Sequence, residues 1–192
     1  MYYSELIERA VTLAALAHHG VYRNSPENVI PYLSVPASVG ILLARAGYPE
    51  EVVAAGVLHD VLTKSETATP GDVQALGPAV YELVVKVCDP DMTASAKTRN
   101  ERYYDNFING DDNSRAVAMA HQIQMMRHEI TSMNAGSDPY RRLKKGPSKR
   151  FERRERLIVF LEENGIEHRL KDDYRASLDE SKKKAREAGY SL

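Results

Sequence analysis

The chain of 192 residues contains one cysteine, Cys88, so no intramolecular disulfide can form, and a reducing, cytoplasmic location is expected. Charge of one sign is also missing: 26 basic residues stand against 27 acidic ones, a formal net charge of −1. That balance excludes a general electrostatic affinity for nucleic acid or an anionic membrane surface. No apolar run approaches the roughly 18 residues of a membrane span. The first ten residues, "MYYSELIERA", have no basic n-region of a secretory signal. No segment alternates polar and apolar residues as a strand would, and no internal repeat or low-complexity block is present.

What is present is helical period. Hydrophobic residues make up 43% of the chain, enough for a real core, and charged residues make up 28%, which suits a solvated surface. From Ser4, a good N-cap, apolar residues recur at steps of three and four as far as Ala17. Gly20 stops that helix, and 21–35 reads as an ordered loop with two prolines. Pro36 and Pro49 are placed to open a second and a third helix at their N1 positions. The third, "EEVVAAGVLHDVL", is apolar on most of its surface and is expected to be central.

"TPGD" at 69–72 predicts a capping box, with Thr69 as N-cap and Asp72 at N3. Gly77 and Pro78 break that helix and start another, and 89–95 reads as a loop. A helix with Tyr103, Tyr104 and Phe107 in the core follows, then a long one over 114–133. Met119, Met125, Met126 and Met133 read as core filler. The segment 135–150 is a polar, basic connection, and a helix after it closes at Gly165. The charged stretch from about Leu170 to Ala188 is expected to be a solvated helix, or else a partner surface. The fold class is all-α, with roughly eight helices.

Four segments stand in a telling order: "AHHGVYR" at 17–23, "PYLSVP" at 31–36, "LHD" at 58–60, and the pattern from Thr69 to Val87. This ordered set resembles the HD-domain metal-dependent phosphohydrolases. Within them it is most similar to the hydrolase domain of the RelA/SpoT alarmone enzymes and their small stand-alone relatives. The resemblance covers about residues 5–130 and implies a helical HD-type domain over 1–165 with a charged helical extension over 166–192. It further implies a Mn²⁺ site that removes pyrophosphate from the 3′ position of guanosine tetra- or pentaphosphate.

Carried over position by position, the resemblance is incomplete. The family's first metal-binding histidine falls on Val35, while its His-Asp pair is His59 and Asp60. The acidic pair that assists the attacking water falls on Thr63 and Lys64. The distant aspartate ligand falls on His121, and a nucleotide-holding asparagine on Met125. Arg23 matches the family's guanine-side arginine.

The metal set left is therefore His59, Asp60 and His121: two imidazoles and one carboxylate, a set that suits zinc or iron as well as manganese. His18 or His19 is a further imidazole that the first helix can offer. A positioned general base contributes about 10²–10⁴-fold, and neither Thr63 nor Lys64 supplies one at neutral pH. Lys64 can instead bind an anion or stabilise charge developing on phosphate.

The expected ligand is a phosphorylated small molecule held by Arg23, Tyr32 and Lys64, with His59, Asp60 and Lys64 as catalytic candidates. Neither nucleic acid nor membrane is an expected partner, and a homo-oligomer is left open. Three functions follow. One is a divergent hydrolase with a divalent Mn, Zn or Fe ion, or the same fold recruited to other chemistry in a biosynthetic pathway. Another is an inactive pseudo-hydrolase that binds a nucleotide or other anion and needs no metal. The third is a structural protein that binds a partner through the basic 141–154 segment or the tail. The bland alternatives are an Asp60 that merely caps a helix and a His59 that is merely packed.

Overall fold

In the computed structural model, residues 3–23, 30–88, 93–143 and 146–192 are described, the side chain of Ala96 excepted. Among them lie ten helical segments and no strand beyond an isolated antiparallel bridge between Tyr22 and Pro31. Two segments, Val61–Lys64 and Pro70–Gln74, are single turns, which accounts for the excess over the eight expected. Parts of the expected loops, 24–29 and 89–92, and residues 144–145 of the basic connection, lie outside the described residues. The chain forms two compact units, Met1–His121 and Gln122–Leu192.

In the first unit, α1 (Glu5–Ala17) opens with the Ser4 hydroxyl accepting the Ile7 N–H, and buries Ala10, Ala14 and Ala17. α2 (Ser34–Arg45) starts two residues earlier than Pro36 suggested. Pro36 instead stands third, still inside the first turn, where the missing N–H has no intrahelical acceptor to satisfy. α3 (Glu50–Val57) is the hub, packing on α2, α1 and the later helix α6 (Pro78–Val87), with all of Val52–Val57 buried. Its contact with α2 is close because glycines face the partner helix. A Cβ on Gly40 would meet Val57 Cγ2 at 2.5 Å, and one on Gly56 would meet Leu43 Cδ1 at 2.3 Å.

The sequence reads as one helix from Glu50 to Leu62, but the structure breaks it. The Leu58 N–H is shared between the carbonyls of Ala54 and Ala55, and the Val61 N–H turns back to the Leu58 carbonyl. Such tightening ends α3 and leaves His59 and Asp60 in a turn before α4 (Val61–Lys64). The capping box at α5 (Pro70–Gln74) forms as expected: Thr69 Oγ1 accepts from the Asp72 N–H and Asp72 Oδ2 accepts from the Thr69 N–H. α7 (Ala96–Ile108) buries Phe107, with Tyr103 and Tyr104 half-buried. α8 (Asp112–Asn134) carries the run Ala116–Ala120, all buried, up to His121.

In the second unit, α9 (Ser148–Glu163) and α10 (Lys171–Glu187) pack together. Gly165, at φ 61°, ends α9 as expected. The tail is not the solvated extension that its charge suggested. Tyr174, Ser177, Leu178, Ser181 and Ala185 of α10 are all buried, at a helical spacing that makes one face of that helix core. The charged residues occupy the other face. The compact units divide after His121.

Candidate functional site

The site begins at the end of α1. His18 is the C-cap, its N–H bonded to the Ala14 carbonyl, and its side chain is fully buried. Beyond Gly20 the chain pairs with itself: Arg23 N–H bonds to the Ile30 carbonyl and Tyr32 N–H to the Val21 carbonyl, both at 2.8 Å. This pairing sets the Tyr32 ring edge-on to His18, with centroids 5.0 Å apart. The turn after α3 delivers His59 and Asp60 to the same place. Both are buried.

The Asp60 carboxylate does not cap α4, so the capping role fails: the Thr63 N–H and hydroxyl bond the Asp60 main-chain carbonyl instead. One carboxylate oxygen, Oδ2, accepts the Tyr32 hydroxyl. The other, Oδ1, lies 3.2 Å from His18 Nε2, close enough for an ion pair but not aligned as a hydrogen bond. His59 Nε2 is 3.9 Å from Oδ2. Burial alone would raise the Asp60 pKa. The His59 ring, the His18 ring and the Tyr32 hydroxyl outweigh it, and the carboxyl is held well below the usual range. The Tyr32 hydroxyl is pushed far up, first by burial and then by the Asp60 charge.

His59 is packed, but not satisfied. Its Nδ1 lies 2.8 Å from the Gly56 carbonyl and donates to it, which leaves the Nε2 lone pair facing Asp60 without a hydrogen-bond partner. That tautomer, with one ring nitrogen tied to a carbonyl, is the one metal-ligating histidines adopt. Asp60 Oδ1 and both nitrogens of His18 are likewise buried and unpartnered. A buried polar atom without a partner costs about 1–3 kcal/mol, and here His18 Nε2 and Asp60 Oδ1 have only each other while His59 Nε2 and His18 Nδ1 have no hydrogen-bond partner. By chemistry and tautomer, His59 and Asp60 fit a divalent cation.

The third donor expected from the sequence is placed less well. His121 is half-buried, and its ring lies against that of His59, with centroids 4.5 Å apart and planes inclined by 44°. Among the described residues, no three His, Cys, Asp or Glu side chains already converge as a metal-holding group. Val35, at the position of the family's first histidine, is 3% exposed and belongs to the core. Lys64 is exposed at the end of α4. Arg23 is half-buried, and burial lowers its pKa, with the neighbouring Tyr32 opposing. The structure thus gathers His18, Tyr32, His59, Asp60 and His121, and keeps Lys64 on the surface.

With that geometry in place, comparison with known proteins gives the class. The family model described as "HD domain" matches residues 10–135. The chain belongs to the HD-domain family. A guanosine-3′,5′-bis(diphosphate) 3′-pyrophosphohydrolase of Haemophilus influenzae is 32% identical over 95 residues, which are 50% of this chain but only 13% of that protein. A solved metazoan ortholog of SpoT, described as hydrolysing ppGpp, superposes with a TM-score of 0.77 over 98% of both chains at 22% identity. A protein of Listeria monocytogenes EGD-e superposes with a TM-score of 0.66 over 79% of this chain and 97% of its own, at 24% identity. These two structures establish likeness of fold. No helix among the described residues is long and apolar enough to cross a membrane.

Proposed function

We propose that this chain is an HD-domain hydrolase with a remodelled metal centre, acting on a phosphorylated, nucleotide-like small molecule. The observation that carries the reading is the bare, buried Nε2 of His59 beside Asp60, in the tautomer that a metal requires. His59 and Asp60 would hold the ion, and such an ion, when bound, lowers the pKa of a water ligand so that hydroxide is available at neutral pH. The chain's own side chains do the rest. The Tyr32 hydroxyl fixes the rotation of the Asp60 carboxylate and is thereby spent on orientation, not on ligand binding. Arg23, beside Tyr32, supplies a cation at the half-buried edge of the site, and Lys64 another at the exposed end of α4.

Efficient alarmone hydrolysis is not part of this proposal, although the Haemophilus relative is named for it. Thr63 and Lys64 replace the carboxylates the family reaction uses, and the Thr63 hydroxyl is bonded to the Asp60 carbonyl. Those same residues favour a second reading, binding without turnover. The decisive experiment offers nucleoside mono-, di- and tetraphosphates with Mn²⁺, Zn²⁺ or Fe²⁺ and follows released phosphate and pyrophosphate. Turnover that disappears in His59→Ala supports the hydrolase. Release that His59→Ala leaves unchanged rejects it, and tight binding with no release under any metal favours the second reading.

A further inference from the structure

We infer that the second compact unit carries a cationic surface, built from the 138–143 turn and the start of α9, that binds the phosphate backbone of a double-stranded nucleic acid. The near-zero net charge of the chain conceals an uneven distribution. Residues 1–121 hold 9 basic and 15 acidic residues, whereas residues 122–192 hold 17 basic and 12 acidic ones. The excess is local: 138–156 alone holds nine basic residues against three acidic. An affinity excluded for the chain as a whole is therefore open to this one surface.

The fold sorts these cations into two sets. Arg154 is buried and Arg150 partly so, and Glu129 holds both. Arg141, Lys149 and Arg153 are exposed, and no carboxylate among the described residues lies within ion-pair distance of them. Lys149 and Arg153 are four apart on α9 and so share a face, with Arg156, also exposed, a turn further on. The turn before α9 is fastened to the same place. Tyr140 packs edge-on against Phe151, with centroids 6.0 Å apart, and the Arg150 guanidinium lies 5.9 Å from the Tyr140 ring centre. Arg141 follows directly in the chain. Partial desolvation, then the charges of Arg150 and Arg154, lower the Arg153 pKa, with Glu152 alone opposing. The amino end of α9 adds positive potential, with no acidic residue in its first turn and no side-chain cap. Like charges gathered in this way repel one another, and a bound polyanion relieves them.

The surface fits phosphate better than protein or lipid. A guanidinium grips phosphate oxygens through two parallel N–H bonds. Protein interfaces centre on apolar and aromatic side chains, and amphipathic membrane binders insert them. The exposed large apolar residues of this unit, Val159 and Leu192, lie outside 138–156. Single strands are held by stacking on exposed aromatic rings, and Tyr140 and Phe151 are buried. Contact with the backbone of a duplex, without readout of its bases, is what these side chains offer.

The test is fluorescence anisotropy of the full chain with labelled RNA and DNA duplexes of about 20 base pairs. A duplex of either kind should bind, and affinity should fall about a hundredfold from about 50 to about 200 mM salt, the slope of roughly four phosphate contacts. Arg141→Glu, Lys149→Glu and Arg153→Glu together should weaken binding more than about tenfold and flatten that slope. Lys183→Glu, at an exposed lysine of α10 beside Glu187, should change it by less than about twofold. In the wild type, bound duplex should shield Lys149 but not Lys183 from acetylation, read by mass spectrometry, a result that depends on no variant folding. No binding at about 50 mM salt, or binding that the triple change leaves intact, overturns the inference. So does equal binding by polyglutamate, which marks an acidic protein as the partner, or binding to anionic vesicles alone, which marks a membrane.

Discussion

Two buried carboxylates, one in each compact unit, are treated in opposite ways. Glu129, on α8, is 2% exposed and fully answered. Arg154 donates to both of its oxygens, at 2.7 and 2.9 Å. Arg150 donates at 2.8 Å, and the hydroxyls of Tyr140 and Ser181 at 3.0 and 3.4 Å. Asp60, in the other unit, has one hydroxyl on one oxygen and an unaligned imidazole on the other. A satisfied network stabilises one arrangement of the chain, whereas a half-satisfied one is a liability unless a ligand completes it. The comparison separates a carboxylate whose partners are complete from one whose partners are not, without reference to either's position in sequence.

The largest effect should come from breaking the satisfied cluster. Glu129→Ala leaves the buried Arg154 guanidinium unpaired, and denaturant unfolding should show a loss of about 3–5 kcal/mol. A loss under about 1 kcal/mol would mean that the network is not a structural lock.

Acid should act through the same group. Burial pushes the Glu129 pKa up, but the bonds and charges of Arg154 and Arg150 more than offset this and hold it below the usual glutamate range. The folded state therefore binds fewer protons than the unfolded one. The stabilisation is complete above the ordinary glutamate pKa of about 4.3 and fades as pH falls through the lower folded value. Unfolding followed from neutral to acid pH should show this slope in wild type and a shallower one in Glu129→Gln.

Removing one donor is milder. Tyr140→Phe takes a single hydroxyl from a carboxylate that keeps both arginines, and should cost about 1–2 kcal/mol.

The smallest effect is expected at the other carboxylate. Asp60→Asn in metal-free protein relieves the desolvation that opposes the Asp60 charge and keeps an acceptor for Tyr32, against the loss of the His59 and His18 attractions that hold the carboxyl ionised. Stability should stay within about 1 kcal/mol of wild type, while turnover is lost. If Asp60→Asn destabilised the metal-free protein as strongly as Glu129→Ala, the contrast between the two clusters would collapse and Asp60 would be structural.

Much of this molecule was legible along the chain. The Ser4 cap, the Thr69–Asp72 capping box, the Gly77–Pro78 break and the Gly165 stop are local rules, each settled by neighbours within a few residues. The spacing of "AHHGVYR", "PYLSVP" and "LHD" was enough for the HD-domain class. What misled was charge. The segment "RRLKKGPSKRFERR" read as a solvated or partner-binding stretch, yet Arg150 and Arg154 turn inward to Glu129. The charged tail read as solvated, yet one face of α10 is core. A charged residue looks the same in sequence whether water or a distant counter-ion satisfies it.

The sequence by itself determined where most helices begin and end, which faces are apolar, and that a His59–Asp60 pair follows the third apolar run. These are matters of residue type and of separations no longer than a turn or two. Only the tertiary structure decided that Tyr32 turns Asp60, that His18 faces it, and that Glu129 meets Tyr140, Arg150, Arg154 and Ser181. Those contacts join residues 11 to 52 positions apart. They are fixed by how helices pack, through the close approach of α2 and α3 at Gly40 and Gly56 and the docking of α10 on α9, and no local pattern encodes them.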